Sequence, residues 1–216
     1  GRCVERDADL PGWDQPHVFR PEDILLRGAR PQGQVVLLDG EGHHASTGIA
    51  EILAKSGAEV TYVTAGYSPV SSRLMDSFEE KFVVQRLKAA GVRFAPSGWA
   101  RVIGKDSVTL YDTHTGEERS VSANAVVLAT GREPVDGLAR VLEGKVAQLY
   151  TIGDAMAARV LAAATYEGQK FARLIGEPGA PATICEAYFS PDDPALNPMP
   201  ADMRRAEPQL LAAGAK

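Results

Sequence analysis

The apolar and polar positions of this chain fall into blocks whose period changes along its length. Residues 1–34 are rich in proline, glycine and charge and read as irregular. One short helix is predicted there, in "FRPEDILLRG", starting near Pro21 with Glu22 and Asp23 in its first turn. "QVVLLD", residues 34–39, is an apolar run without alternation, the pattern of a strand covered on both faces. "STGIAEILAKSG" then changes to a helical period. Ser46 or Thr47 can cap it, Ile49, Ile52 and Leu53 share one face, and Gly57 ends it. "AEVTYVT", residues 58–64, is a second strand, completing a β-α-β unit with a glycine-rich turn at its first junction.

After the loop "GYSPVSS", residues 73–91 carry Leu74, Phe78, Phe82, Val83 and Leu87 at helical spacing and end at Gly91. "VRFAPSG" is a short strand. Residues 99–130 read as a meander of three strands, joined by "GKDS" and by "THTGEE" with Gly116 at positive φ. "AVVLAT", residues 125–130, is a further buried strand, closed by the turn "GREP". "QLYTIGD", residues 148–154, is again a short apolar strand. An Ala-rich helix follows over 155–177, with Gly168 inside it or near a break. From Pro178 onward Pro, Asp and Ala dominate, and 178–216 reads as an extended tail. No internal repeat is evident.

Composition narrows the class. The 216 residues are 44% hydrophobic and 24% charged, ordinary for a globular chain. A net charge of −5 argues against nucleic-acid and anionic-membrane partners, which need a clustered basic face. No apolar run reaches the roughly 18 residues of a spanning helix. No signal-peptide pattern opens the chain. Cys3 and Cys185 fit no disulfide or zinc spacing, and the cytoplasm is the expected compartment. Four histidines are scattered through loops, and neither a Gly-x-Ser-x-Gly elbow nor a cysteine in a basic setting is present, so no catalytic residue is expected here.

Two glycine turns carry the candidate chemistry. In "LLDGEGHHASTG", Gly40, Gly42 and Ala45 hold the small-residue positions of a dinucleotide turn. Glu41 opposes a diphosphate by charge, His43 and His44 are bulky where small residues normally stand, and "YVTAG" offers no acid for a ribose. Two readings stay open: a vestigial NAD(P) turn filled by its own side chains, or a working NAD(P)H module. His43 and His44 point apart as neighbours on a turn and lack a third ligand, so no metal site is expected. In "TIGDAMAAR", Gly153, Asp154, Ala155 and Met156 lie where a strand passes into a helix, the place at which open α/β sheets bind ligands. Asp154 can instead cap that helix through residues 156–157, and Arg159 suits a phosphate or a nearby carboxylate equally.

The order β-α-β, long helix, β, meander, β resembles the pyridine-nucleotide domain of flavoproteins with two dinucleotide domains, the glutathione-reductase-like fold. That resemblance implies an α/β, Rossmann-type parallel sheet with a β-meander, plus the remnant of a second nucleotide-binding domain. "NAVVLATGREP" resembles the strand that closes the first of these domains, and "LYTIGDAMAARVLAAATYEGQKFARLI" the last strand and helix of the flavin domain. "DLPGWDQPHVFRPEDILL" resembles the lead-in segment of the trimethylamine dehydrogenase and 2,4-dienoyl-CoA reductase group. The acidic, histidine-filled turn followed by "AEILAKSGAEVTYVT" looks closer to trimethylamine, dimethylamine and histamine dehydrogenases and to N-methyl demethylases.

The resemblance covers about residues 9–176 and divides the chain as follows. Residues 1–32 are the lead-in of an FAD/ADP-type domain, 33–135 a degenerate NAD(P)-type domain, 146–177 the closing strand and helix of the first, and 178–216 a tail. It implies ADP or FAD at Gly153–Arg159 in the intact parent, FMN and a 4Fe-4S cluster on a barrel part that is absent here, and no cofactor on this chain alone. The implied partners are that remainder of the parent, an electron-transfer flavoprotein and further copies of the parent as a homo-oligomer. Gly1 falls where the family's "ATG" strand ends, so a C-terminal portion or subunit is expected, itself inactive, of an amine dehydrogenase or demethylase-like oxidoreductase. The alternative is the NAD(P)H-binding module of a 2,4-dienoyl-CoA reductase-like enzyme.

Overall fold

The computed structural model describes residues 2–3, 10–42, 44–70, 78–180 and 183–184, with backbone pairing alone for 2–3 and 183–184. The chain divides into two compact units, Arg2–Glu133 and Pro134 onward.

The strands of the first unit are β1 (Arg2–Cys3), β2 (Val18–Phe19), β3 (Gln34–Asp39), β4 (Glu59–Thr64), β5 (Arg93–Ala95), β6 (Gly98–Ile103), β7 (Ser107–Asp112), β8 (Glu118–Ser122), β9 (Ala125–Ala129) and β10 (Arg132–Glu133). Its helices are α1 (Pro21–Leu25), α2 (His44–Lys55) and α3 (Glu80–Ala89). Five strands form a parallel sheet in the order β2-β9-β3-β4-β5, and β6, β7 and β8 form an antiparallel meander. Strand β3 is central, with Leu38 opposite Val63 on one side and Leu128 on the other.

Both faces of β3 are covered, which is why its sequence does not alternate. Val35 and Leu37 join Ile24, Ile49, Leu53, Val83 and Leu87 in a core between sheet and helices. Val36 and Leu38 join Ala100, Ile103, Val108 and Leu110 in a second core beneath the meander. The segment that the sequence reads as a lead-in packs on this sheet too, with Leu10 in the meander-side core and Ile24 in the helix-side core. The α/β class, the parallel sheet and the β-meander are those expected from the order of elements. Gly57 sits at φ +100 and the Ala58 N–H bonds Leu53 O at 3.1 Å, ending α2 as predicted. Gly116 turns the meander at φ +76.

Three local expectations are corrected. Helix α2 starts at His44, so Ser46 and Thr47 are buried first-turn residues rather than caps. The helix predicted over 73–91 begins at Glu80 among the described residues, and Leu74 lies outside them. Of its apolar positions Val83 and Leu87 are buried, whereas Phe78, at φ +60, and Phe82 are exposed. The covered stripe is therefore narrower than the periodicity suggests.

The second unit holds α4 (Gly137–Leu142), β11 (Leu149–Tyr150), a 3-10 turn at Gly153–Ala155, α5 (Leu161–Ala172) and β12 (Thr183–Ile184), which pairs in parallel with β11. The Ala-rich helix thus starts six residues later than its first alanine, and Gly168 lies inside it without a break. The Met156 and Ala157 amides both close onto Gly153 O at 3.0 Å, and this tight turn stops the helix from propagating back. Residues 181–182 and 185–216, the bulk of the proposed tail, lie outside the described residues. Among the described residues no helix is long and apolar enough to cross a membrane.

Leu37 and Leu38 point to opposite faces and are both fully buried. Leu37→Ala and Leu38→Ala are each expected to cost about 2–5 kcal/mol, read as a lowered urea midpoint at unchanged slope. A cost for only one of the two would mean that one face of the sheet is open.

Candidate functional site

The first glycine turn is organised around a side chain that precedes it. Asp39 ends β3 and lies on the helix side of the sheet, 3% exposed, under the first turn of α2. Its Oδ1 accepts the Gly42 N–H at 2.9 Å and the Ser46 hydroxyl at 2.8 Å. Its Oδ2 accepts the Tyr62 hydroxyl at 2.5 Å. Tyr62 stands opposite Leu37 in β4 and is fully buried. Burial, then the neighbouring Asp39 charge and the hydrogen bond to it, push the phenol well above its ordinary pKa, so it remains a donor. Three donors from three segments therefore converge on one carboxylate.

The rest of the turn is also held by the protein itself. The Gly40 and Glu41 amides both bond Ala129 O, at 2.9 and 3.1 Å. Gly40 is crowded: a Cβ there would stand 3.2 Å from both Thr130 O and the Trp99 ring. A side chain here would require the Thr130 backbone or the Trp99 ring to give by a few tenths of an ångström. Gly42 lies at φ +69, where glycine is favoured for backbone reasons, and Ala45 is half-buried in α2. Glu41 does not present its charge to an open slot. Its Oε1 meets Arg132 Nε at 3.0 Å, and Arg132 Nη1 meets Glu22 at 2.8 Å. Burial raises the Glu41 carboxyl above its ordinary 4.5, and Arg132 offsets this only in part. His44 pairs with Glu79 at 3.2 Å on the exposed side, and His43 lies outside the described residues. Strand β4 ends in Thr64, whose hydroxyl accepts the Gly66 N–H at 3.3 Å. Three successive amides of the turn thus have internal acceptors, and β4 carries no acid at its end.

The second turn has its own buried carboxylate. Glu167 on α5 is 1% exposed. Its Oε2 accepts the Gly153 N–H at 2.6 Å, and its Oε1 is ion-paired with Arg159 Nη2. The nearby carboxylate that the sequence offered to Arg159 is that of Glu167. Gly153 sits at φ +59. Asp154 is exposed, and its carboxylate accepts the Arg159 N–H at 3.3 Å. Ala155 and Met156 are half-buried beside it. Asp154 is thus exposed, whereas Arg159 is engaged by Glu167. Among the described residues no group of three or more His, Cys, Asp or Glu could hold a metal ion.

Asp39, Tyr62, Arg132 and Glu167 are absent from the set of residues that the motifs nominate. Two of them carried a signal. Asp39 is the one charge in an otherwise apolar run, and Glu167 is the one acid in the Ala-rich segment 155–176. An acid in such a setting must find donors if it is buried.

The sheet order, the meander and the turn at the carboxyl end of β3 define an oxidoreductase nucleotide-binding fold. Residues 45–160, more than half of the chain, match pyridine nucleotide-disulphide oxidoreductases, and the chain belongs to that family. It is 24% identical over 196 residues to dimethylamine dehydrogenase of Hyphomicrobium sp. (strain x), covering 77% of this chain and 26% of that protein. The 6-hydroxypseudooxynicotine amine oxidase of Pseudomonas geniculata N1 is 33% identical with a TM-score of 0.75, covering 82% of this chain and 27% of its own. Histamine dehydrogenase from Rhizobium sp. 4-9 is 26% identical with a TM-score of 0.71, covering 78% of this chain and 27% of its own. These likenesses bear out the resemblance to the trimethylamine dehydrogenase-like group: the chain is an oxidoreductase nucleotide-binding domain related to amine dehydrogenases. It spans about a quarter of the length of these relatives.

Two predictions follow from the geometry of the first turn. Tyr62→Phe removes one hydrogen bond to a buried carboxylate and is expected to destabilise the fold by about 1.5–3 kcal/mol in urea unfolding. An unchanged midpoint would show that the phenol contributes nothing there. Glu41 titrates higher folded than unfolded, so its titration favours folding below pH 4.5, and this contribution is lost as pH rises through the raised value. The urea midpoint of the protein relative to Glu41→Gln is expected to fall over that interval and then level off; a relative midpoint that rises instead would reverse the sign of the shift.

Proposed function

We propose that the chain is the nucleotide-fold portion of an amine dehydrogenase or N-demethylase that uses FMN and a 4Fe-4S cluster, and that it carries no reaction step itself. The observation behind this reading is the set of consecutive Gly40, Glu41 and Gly42 amides, each bonded to an internal acceptor. The close packing of Gly40 against Thr130 and Trp99 supports a role of this glycine in the fold.

Oxidation of the substrate's C–N bond would rest on the FMN and iron–sulfur groups of the parent's remaining part. This chain would support that part and help shape the surface that meets an electron-transfer flavoprotein. In the intact parent, Asp154 would take a sugar hydroxyl of ADP or FAD, with Glu167 fixing the Gly153 amide behind it. Leu138, Val141, Leu161 and Ile175 of the second unit are exposed, an apolar surface suited to burial by the parent's remainder or by a second copy in a homo-oligomer.

The second reading, an NAD(P)H module of the 2,4-dienoyl-CoA reductase type, is favoured by the small residues kept at 40, 42 and 45. Calorimetric titration separates the two. Neither NADH nor NADPH is expected to bind in the micromolar range. Micromolar binding that disappears in Gly42→Trp would overturn the non-catalytic reading in favour of the second.

A further inference from the structure

We propose that Asp39 is the residue that closes the first turn to phosphate, acting as a resident anion in the position that a diphosphate oxygen would need. The proposal rests on the reading above and deepens it by naming one determinant. Asp39 stands at the carboxyl end of the central strand, the position at which open α/β sheets receive ligands. The amino end of a twelve-residue helix, α2, opens just beyond it, and such an end favours one negative group. Asp39 supplies that group from inside the protein. It takes the amide of the second turn glycine, Gly42, and the hydroxyl of Ser46 in the first helical turn.

The carboxylate cannot simply swing aside. Tyr62 holds its other oxygen from the next strand, and the phenol is fully buried. Moving Asp39 away would leave the Tyr62 and Ser46 hydroxyls without their acceptor in the core, which buried donors do not tolerate cheaply. A diphosphate entering beside Asp39 would meet a fixed like charge in a poorly hydrated place. Among the described residues the other candidates for closing the turn are weaker. Glu41 is paired with Arg132, His44 is paired with Glu79 on the exposed side, and Gly40, Gly42 and Ala45 carry nothing larger than a methyl group.

The test uses the full chain with inorganic pyrophosphate and NADH as probes, followed by calorimetry and by the Gly42 amide resonance in NMR. In the unaltered protein neither probe should bind, and the Gly42 amide should exchange slowly and stay in place as pyrophosphate is added. Asp39→Ser should gain pyrophosphate affinity by on the order of tenfold or more, the worth of one hydrogen bond to a charged group. Asp39→Asn should gain less, since its carbonyl still accepts from Gly42. Should Asp39→Ser unfold, Asp39→Ser combined with Tyr62→Phe removes the orphaned phenol and is expected to show the same gain. A folded Asp39→Ser without any gain overturns the role of Asp39 and leaves the non-catalytic reading standing. A Gly42 amide that shifts with pyrophosphate in the unaltered protein overturns it as well. Micromolar NADH binding to the unaltered protein would overturn both.

Discussion

One buried carboxylate ties together the parts of the first unit that matter most for its function. Asp39 receives a backbone amide from the turn, a hydroxyl from α2 and a phenol from β4. The strand, the turn, the helix start and the neighbouring strand are thereby fixed to each other at one point. Burying a carboxylate is costly unless its oxygens are hydrogen-bonded, and three convergent donors meet that condition. The same contacts engage the Gly42 amide of the turn.

A parallel arrangement recurs in the second unit. Glu167 takes the amide of Gly153 and the guanidinium of Arg159. Both glycine turns thus have an internal acid on their backbone. They differ in what remains outside. The first turn is held by Asp39, by Ala129 O and by the Glu41–Arg132–Glu22 cluster. The second leaves Asp154 accessible.

Much of the architecture was legible in the sequence. The unalternating runs at 34–39 and 125–130 meant strands covered on both faces, and they pair with each other at the centre of the sheet. Gly57 and Gly116 marked their turns through backbone conformation, a local property. The helix starts at 44, 80 and 161 were not legible. Ser46 looked like a cap because its residue type favours caps, yet its hydroxyl was drawn to Asp39. Phe78 and Phe82 kept the helical period without being covered, since coverage depends on the neighbouring segment.

What the sequence determined by itself was the class of fold and the place of both glycine turns. Residue type and spacing suffice for that. Only the tertiary structure decided what occupies those turns. Tyr62 lies 23 residues from Asp39, Arg132 lies 91 from Glu41, and Glu167 lies 14 from Gly153. No local period encodes such distances. The partner of a buried charge is set by which segments the sheet and helices bring together, and that is known only once the chain has folded.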